Sequence, residues 1–194
     1  MRIYLIRHGE TDWNIEGRLQ GREDIPLNET GIQQAKTCGQ VFRGRGIRTI
    51  LTSPLVRAKR TAEIIAEIAD ISQVVVEEGL TERDFGIIAG VAYDSKKYFD
   101  TFGIDEGIEP FEELHQRLIK CIREKADQYS DEDIIMVSHG AAINSVIWVL
   151  SAGEQGSGKT RLKNTCISIL TYQEGALKLE ACNLTPEEFR MSRI

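Results

Sequence analysis

Residues 3–10 read IYLIRHGE, in which a short apolar run ends directly in an arginine, a histidine and a glycine. The run is typical of a buried β-strand, and ligands of α/β proteins usually bind at the C-terminal edge of the sheet. We therefore expect Arg7 and His8 to face a pocket that binds an anion, with Gly9 letting the backbone approach the ligand closely. The alternative is a solvated Arg7 and a half-buried His8 that bind nothing.

Residues 134–140, IIMVSHG, repeat this pattern, because an apolar run again ends in a histidine and a glycine. Neighbouring parallel strands end at the same edge of a sheet, so we expect His8 and His139 to share one pocket. The third histidine of the chain, His115, lies in an amphipathic run and is predicted to be an ordinary helix residue.

Runs typical of strands alternate with helical patterns, which predicts a three-layer α/β/α fold with a mostly parallel central sheet. The last two runs predict a hairpin around Glu174 and Gly175. No repeat or interdomain linker interrupts this order, so residues 1–194 are predicted to form a single domain. The predicted strands are 2–6, 47–52, 73–77, 133–137, 165–172 and 176–182, the helices 28–44, 54–70, 93–101, 109–129 and 140–151, and the loops that border a site 79–92, 102–109 and 152–164.

The composition excludes several classes of partner. A net charge of -6 and a pI near 5.2 argue against nucleic acid or an anionic membrane, which need a basic surface. No apolar stretch approaches the roughly 18 residues of a membrane span, and the N-terminal run is too short for a signal peptide, so a cytoplasmic location is expected. Cys38, Cys121, Cys166 and Cys182 lack metal-site spacing, so neither a metal site nor a disulfide framework is predicted.

Residues 51–63, LTSPLVRAKRTAE, join a predicted strand to a predicted helix. Ser53 is predicted to cap the helix, with Pro54 as its first residue. Arg57 would then extend from the first turn, where free backbone N–H groups and the helix dipole favour a phosphate or carboxylate. The alternative is a solvated basic face, and for Arg60 we favour this exposed position.

Residues 80–86, LTERDFG, follow the predicted strand at 73–77 as a loop. A carboxylate in this loop could protonate a leaving group. The sequence alone does not rank Glu78, Glu82 and Asp84 for that role.

Taken together, these motifs resemble the histidine phosphatase superfamily, whose members are also called phosphoglycerate mutase-like. Their order and spacing match along nearly the whole chain, which makes accidental agreement far less plausible than for one short motif. The resemblance implies a phosphoglycerate mutase-like fold and the activity of a histidine acid-type phosphatase. The matching stretches are RHGET at 7–11 with WN at 13–14, SPLVRA at 53–58, LTERDFG at 80–86 and SHG at 138–140.

The resemblance also assigns roles to individual residues. His8 would attack phosphorus and form a phosphohistidine, while Arg7, Arg57 and a protonated His139 hold the phosphoryl oxygens. Glu82 would protonate the leaving oxygen and then activate water. With the charge neutralised in this way, no metal or other cofactor is required. The residues implied on the substrate side are Thr11, Asn14, Gln20, Gly21 and Gly140.

Departures from the family pattern concern the substrate. Mutase members carry a long insertion, with an arginine pair, between the acid and the second histidine. Here only 57 positions lead from Glu82 to His139, and no Arg-Arg pair occurs between them. Hydrolysis of a small phosphorylated metabolite is therefore favoured, with a cofactor-dependent phosphoglycerate mutase as the alternative; a homodimer remains open.

Residues 153–160, GEQGSGKT, fit the phosphate-loop pattern GxxxxGK[ST]. A true phosphate loop follows a strand and precedes a helix. Here a predicted helix precedes the motif and a predicted strand follows it, so nucleotide hydrolysis is disfavoured. We expect a mobile loop near the rim of the pocket instead.

Overall fold

The computed structural model describes residues 1–93 and 107–192. Six strands form one mixed sheet, in which three of the five neighbouring pairs are parallel. The strands are β1 (Arg2–Arg7), β2 (Thr49–Thr52), β3 (Gln73–Val76), β4 (Ile134–Ser138), β5 (Ile167–Gln173) and β6 (Ala176–Leu184). Their order is β3-β2-β4-β1-β5-β6, with β5 and β6 as the antiparallel pair at one edge.

Every strand predicted from the sequence is present, with ends that move by two residues at most. Glu174 and Gly175 connect β5 to β6 with φ of 51° and 79°, so the predicted hairpin is confirmed. Both residues lie in the left-handed region that short hairpin turns require, which is why a glycine suits the second position.

Helices cover both faces of this sheet. Four predicted helices are confirmed, whereas the one expected at 93–101 lies outside the described residues except for Tyr93, which is in a turn. No helix in the described ranges is long and apolar enough to cross a membrane. The helices are α1 (Asp12–Ile15), α2 (Glu29–Phe42), α3 (Val56–Ala69), α4 (Phe111–Gln128), α5 (Gly140–Leu150) and α6 (Pro186–Met191).

Alternating side chains of β1 divide the core into two halves. Ile3 and Leu5 belong to the half formed with α4 and α5, whereas Tyr4 and Ile6 belong to the half formed with α2, α3 and α6. All four are nearly inaccessible to solvent, and burying such a side chain contributes about 1.5–3 kcal/mol. The three-layer α/β/α prediction is confirmed.

The start of α3 differs from the prediction. Leu55 is the N-cap and the helix begins at Val56, so Ser53 and Pro54 lie before it. The Ser53 hydroxyl does not reach the first turn, because Oγ accepts the N–H of Leu55 at 3.3 Å and lies 2.7 Å from Nε2 of His139. The hydrogen bond between Ser53 and His139, the residue that follows β4, has replaced the predicted helix cap.

Candidate active site

β1 and β4 are parallel neighbours, and their ends bring two histidines together. Arg7 lies opposite Ser138 in the register, and the His8 N–H donates to the Ser138 carbonyl at 3.0 Å. The ring centroids of His8 and His139 are 5.2 Å apart, and both residues are almost fully buried. Two positions 131 apart in the sequence thus form one cluster at the C-terminal edge of the sheet.

His8 is held as a neutral imidazole with one free nitrogen. Nδ1 lies 2.6 Å from the carbonyl oxygen of Gly9, which can only accept, so Nδ1 carries the proton. Burial, and then the positive charges of Arg57 and Arg7, hold the pKa of His8 well below its usual value. Nε2 therefore keeps its lone pair, which is the form that a nucleophilic histidine needs.

Gly9 has a different role from the one expected. A Cβ built at this position would lie 2.5 Å from the carbonyl oxygen of Gly31 in α2. The glycine is required because two backbones approach each other here, and the strand end thereby packs against α2.

Arg57 is fully buried, which rules out a solvated basic face at this position. Its guanidinium donates to the carbonyl oxygens of Glu23 and Gly21, each at 2.7 Å. Burial lowers the pKa of Arg57 to about 10, so the group remains charged at neutral pH. Arg60, one turn further along α3, is exposed and pairs with Glu63 at 3.2 Å, as expected for it.

Arg7 supplies a second guanidinium to the same cluster. Nη1 donates to the carbonyl oxygen of Leu162 at 2.6 Å, while Nε is buried without a hydrogen-bond partner within the described part of the chain. Burial lowers the pKa of Arg7 from its usual value. The backbone before β5 therefore fixes the direction of this arginine.

Of the three acidic candidates in this loop, Glu82 is the one whose position places it at the pocket. Its Oε1 accepts backbone N–H groups of Arg83 at 2.9 Å and Ala142 at 2.8 Å, and Oε2 accepts that of Ala141 at 3.1 Å. The carboxylate is thus anchored at the N-terminus of α5 and lines the pocket. Glu78 is exposed, and Asp84 pairs with an exposed arginine at 3.6 Å.

Arg117 of α4 holds the loop that carries Glu82, a role that no sequence motif indicated. Its Nη1 donates to the carbonyl oxygens of Gly79 at 2.9 Å and Thr81 at 3.0 Å. A paired contact with Glu109, at 2.9 Å and 3.0 Å, fixes the guanidinium. An arginine in a predicted amphipathic helix gives no local signal of such long-range contacts.

The surroundings of His139 favour a neutral ring in the unliganded site, whereas the resemblance implies a protonated ring when a phosphoryl group is bound. Burial, followed by the charge of Arg57 and the proximity of His8, holds its pKa well below the usual value. Nε2 contacts the Ser53 hydroxyl, and Nδ1 is buried without a partner among the described residues. Burial of the ring and the nearby arginine charges disfavour a further positive charge on it in the unliganded site.

The remaining predicted residues divide into two groups. Asn14, Gln20 and Gly140 line an open pocket of about 1040 Å³ above the cluster, a size suited to a small metabolite. Thr11 caps α1 by accepting the N–H of Asn14, and Gly21 holds Arg57 through its carbonyl oxygen. Thr11 and Gly21 therefore support residues of the site and are not among those that line the pocket.

The mouth of the pocket is formed by Trp13, Phe85 and Tyr93 and by the loop 157–164. Trp13 and Phe85 belong to the matching stretches but were assigned no role, and Tyr93 lies outside them. This loop lies between α5 and β5, so the phosphate-loop interpretation is wrong. The Lys159 ammonium donates to the carbonyl oxygen of Gly153 within its own loop at 2.6 Å. The expectation of a loop at the rim is confirmed.

Comparison with known proteins agrees with this geometry. The model of the histidine phosphatase superfamily (branch 1) matches residues 3–185. The uncharacterized phosphatase PhoE of Bacillus subtilis (strain 168) is 38% identical over 184 residues, 94% of this chain and 94% of that protein. The "probable phosphoglycerate mutase GpmB" of Klebsiella pneumoniae (strain 342) is 33% identical over 192 residues, 90% of this chain and 86% of its own length. A phosphoserine phosphatase variant of Entamoeba histolytica, solved with phosphoserine, has a TM-score of 0.81 and 30% identity over 96% of this chain and 98% of its own.

Proposed function

Because the chain belongs to the histidine phosphatase superfamily and has its phosphoglycerate mutase-like α/β fold, we propose that it hydrolyses a small phosphomonoester through a phosphohistidine at His8. The observation that carries this proposal is the state of His8. Its Nδ1 is committed to the Gly9 carbonyl, and burial with the charges of Arg57 and Arg7 lowers its pKa, which keeps Nε2 unprotonated. A neutral imidazole beside two fixed cations suits attack on an anionic phosphoryl group.

In the first half-reaction, the lone pair of His8 Nε2 attacks phosphorus. The N–P bond forms as the bond to the ester oxygen breaks, and a protonated Glu82 delivers its proton to that leaving oxygen. Arg7 and Arg57 neutralise the charge on the phosphoryl oxygens. Both guanidiniums are already fixed by backbone carbonyls, so little reorganisation accompanies the reaction.

In the second half-reaction, the Glu82 carboxylate takes a proton from water as the water oxygen attacks phosphorus. The N–P bond breaks, its electron pair returns to His8 Nε2, and inorganic phosphate leaves. Glu82 has then regained its proton and both residues are ready for another cycle. Its position at the N-terminus of α5 keeps the carboxyl group at the pocket wall throughout.

The proposal includes metal-independent and acid-type chemistry. The two guanidiniums provide the positive charge that a metal ion supplies in other phosphoryl-transfer enzymes. The depressed pKa of His8 keeps the nucleophile unprotonated below pH 6.5, where a free histidine becomes charged. We expect activity to persist in mildly acidic solution for this reason.

The alternative, a cofactor-dependent phosphoglycerate mutase, draws support from the relative whose printed name is a mutase. The short stretch between Glu82 and His139, with no arginine pair, favours hydrolysis. The Entamoeba neighbour was solved with phosphoserine, so phosphorylated hydroxy and amino acids are the first substrates to try. A cytoplasmic location and the absence of nucleic-acid and membrane partners remain predictions.

The test is turnover of p-nitrophenyl phosphate and a panel of phosphorylated metabolites in EDTA, measured as released phosphate. We expect hydrolysis by the wild type, its abolition by His8→Ala, and near-normal activity in His115→Ala. His115 is the matched control because it lies in α4, near Glu112 and Phe111, and does not line the pocket. Full activity of His8→Ala would refute the proposed nucleophile. Conversion of 3-phosphoglycerate to its isomer without phosphate release, dependent on a bisphosphate primer, would support the mutase.

A further inference from the structure

Ser53 is a fully buried residue at the end of β2 whose hydroxyl contacts a ring of the catalytic cluster. Its Oγ lies 2.7 Å from Nε2 of His139. The roles of the two atoms follow from the hydrogen bonds available to each, because a buried hydroxyl proton requires an acceptor.

The Ser53 hydroxyl has one hydrogen-bond acceptor available among the described residues. Oγ accepts the N–H of Leu55 at 3.3 Å, which uses a lone pair and leaves the proton unassigned. Within residues 1–93 and 107–192, the only acceptor within hydrogen-bond distance of Oγ is Nε2 of His139. The hydroxyl therefore donates to Nε2, and this nitrogen must be unprotonated.

The proton of the neutral His139 ring then resides on Nδ1. This atom is buried and has no hydrogen-bond partner in the described structure. An unpartnered buried donor is unfavourable unless a ligand supplies an acceptor. The ring centroids of His139 and His8 are 5.2 Å apart. In the proposed reaction, the His8 ring receives the phosphoryl group.

We propose that Ser53 is a positioning residue that holds His139 as the Nδ1–H tautomer, so that the neutral ring donates a hydrogen bond to a phosphoryl oxygen. This inference rests on the proposed function, because it requires a phosphoryl group beside His8. In the opposite tautomer, Nδ1 would present a lone pair to an anionic oxygen and repel it. Ser53 thus decides whether His139 attracts or repels the transferred group.

The arrangement also accounts for a neutral His139 in a site that binds an anion. Burial and Arg57 hold the pKa of the ring well below its usual value in the unliganded site, in agreement with the neutral ring that the Ser53 hydrogen bond requires. A donor fixed by its tautomer needs no added proton. Its contribution is therefore retained across the neutral range.

The first test observes the tautomer directly by long-range ¹H–¹⁵N correlation on protein labelled at histidine. The chain has three histidines, and the spectra of His115→Gln and His139→Gln assign the signals. We expect His139 with a protonated Nδ1 and an unprotonated Nε2 at pH 7.5. A protonated Nε2 on His139 would overturn the inference, whatever the activity of the enzyme.

The second test compares Ser53→Ala with Ser145→Ala. Ser145 is equally buried, but its hydroxyl donates to Ala142 within α5, so this variant removes a hydroxyl without changing His139. In Ser53→Ala we expect the Nε2–H form of His139 to appear and kcat to fall by about 10- to 100-fold, by analogy with the loss of a group that orients a metal-bound imidazole. Ser145→Ala should retain the Nδ1–H form and near-normal kcat.

The outcomes distinguish failure of the proposed phosphatase function from failure of the role proposed for Ser53. If the tautomer is as expected but no phosphatase activity is found in the wild type, the proposed function fails and the tautomer assignment survives. If Ser53→Ala keeps both its tautomer and its kcat, the role of Ser53 is refuted while the function stands. If Ser53→Ala does not fold, the wild-type spectrum alone decides.

Discussion

The floor and the mouth of the pocket are built in opposite ways. At the floor, His8 and Arg57 are buried, and backbone carbonyl oxygens fix Nδ1 of His8 and both terminal nitrogens of Arg57. At the mouth, Arg161 and Lys163 are exposed on the loop before β5, and Tyr93 is 47% exposed. The floor is held by the end of β1, by α3 and by the N-terminus of α5, whereas the mouth consists of loops that a change of sequence can alter without disturbing the core.

This difference indicates that transition-state stabilisation belongs to the floor and substrate recognition to the mouth. Groups at the floor are preorganised, which is the property that transition-state stabilisation requires. Under the proposed function, groups at the mouth would contact the part of the substrate that does not react. Substitutions at the floor should therefore lower kcat for every substrate, and substitutions at the mouth should change KM for some substrates only.

The largest effect is expected for Glu82→Gln at the floor. The amide keeps the shape of the side chain but cannot donate or accept the proton, so kcat should fall by about 10²- to 10⁴-fold with alkyl phosphates. The matched control is Asp84→Asn, two residues away and paired with an exposed arginine, which should stay near wild type. Equal losses in both variants, measured by phosphate release, would contradict the assignment of Glu82.

A somewhat smaller loss is expected for Arg57→Lys, which keeps the charge. A lysine cannot bond both Gly21 and Glu23 and still present its charge as a planar guanidinium does. We expect kcat to fall by about 10²-fold, as for removal of one oxyanion donor. Arg60→Lys in the same helix is the control, and a comparable loss there would show that the effect comes from α3 as a whole.

The buried histidines also predict a dependence of stability on pH. His8 and His139 have depressed pKa values when folded, so below the unfolded value of 6.5 the unfolded chain binds protons that the folded chain does not. Stability should therefore fall as the pH drops below 6.5, by about 1.4 kcal/mol per unit for each ring. Urea unfolding at pH 7.5 and 5.5 measures this, and His8→Asn with His139→Asn should reduce the difference. If the double variant showed the same difference in the free energy of unfolding between the two pH values, the depressed pKa values of His8 and His139 would be contradicted.

The smallest effect is expected at the mouth. Arg161 lines the pocket, and its guanidinium makes no hydrogen bond or ion pair among the described residues, although its carbonyl oxygen accepts from Asn183. The guanidinium is therefore available to a second anionic group of the substrate. In Arg161→Gln, KM for a phosphorylated carboxylic acid should rise by about three- to fivefold, the range of an exposed ion pair. KM for p-nitrophenyl phosphate should not change. A uniform change for both substrates would contradict the division between floor and mouth.

The sequence predicts most of the fold because strand and helix periods are local. It also predicts the cluster, because two apolar strands end in histidines and neighbouring parallel strands share an edge. Two short helices were not predicted. Both carry capping signals, Thr11 with Asn14 and Thr185 with Glu188, but four and six residues are too few to show a period.

Other features of the site depend on contacts distant in sequence. Arg117 lies 35 positions after Glu82, whose loop it holds, and no pattern around Arg117 indicates that contact. The sequence predicts Ser53 as a helix cap because Pro54 follows it. In the structure, the Ser53 hydroxyl instead contacts His139, which is distant in sequence. The burial of His139 and the arginine charges near it, which lower the pKa of the ring, are visible only in three dimensions.

The most direct test of the central claim is to locate the transferred phosphoryl group. Glu82→Gln is mixed with p-nitrophenyl phosphate, whose leaving group needs little help from an acid, and the reaction is stopped in alkali, in which phosphohistidine is stable. Peptide mass spectrometry should find one phosphoryl group on His8, formed together with a burst of nitrophenolate. Phosphorylation of another residue, or a burst without any phosphorylated protein, would contradict the account.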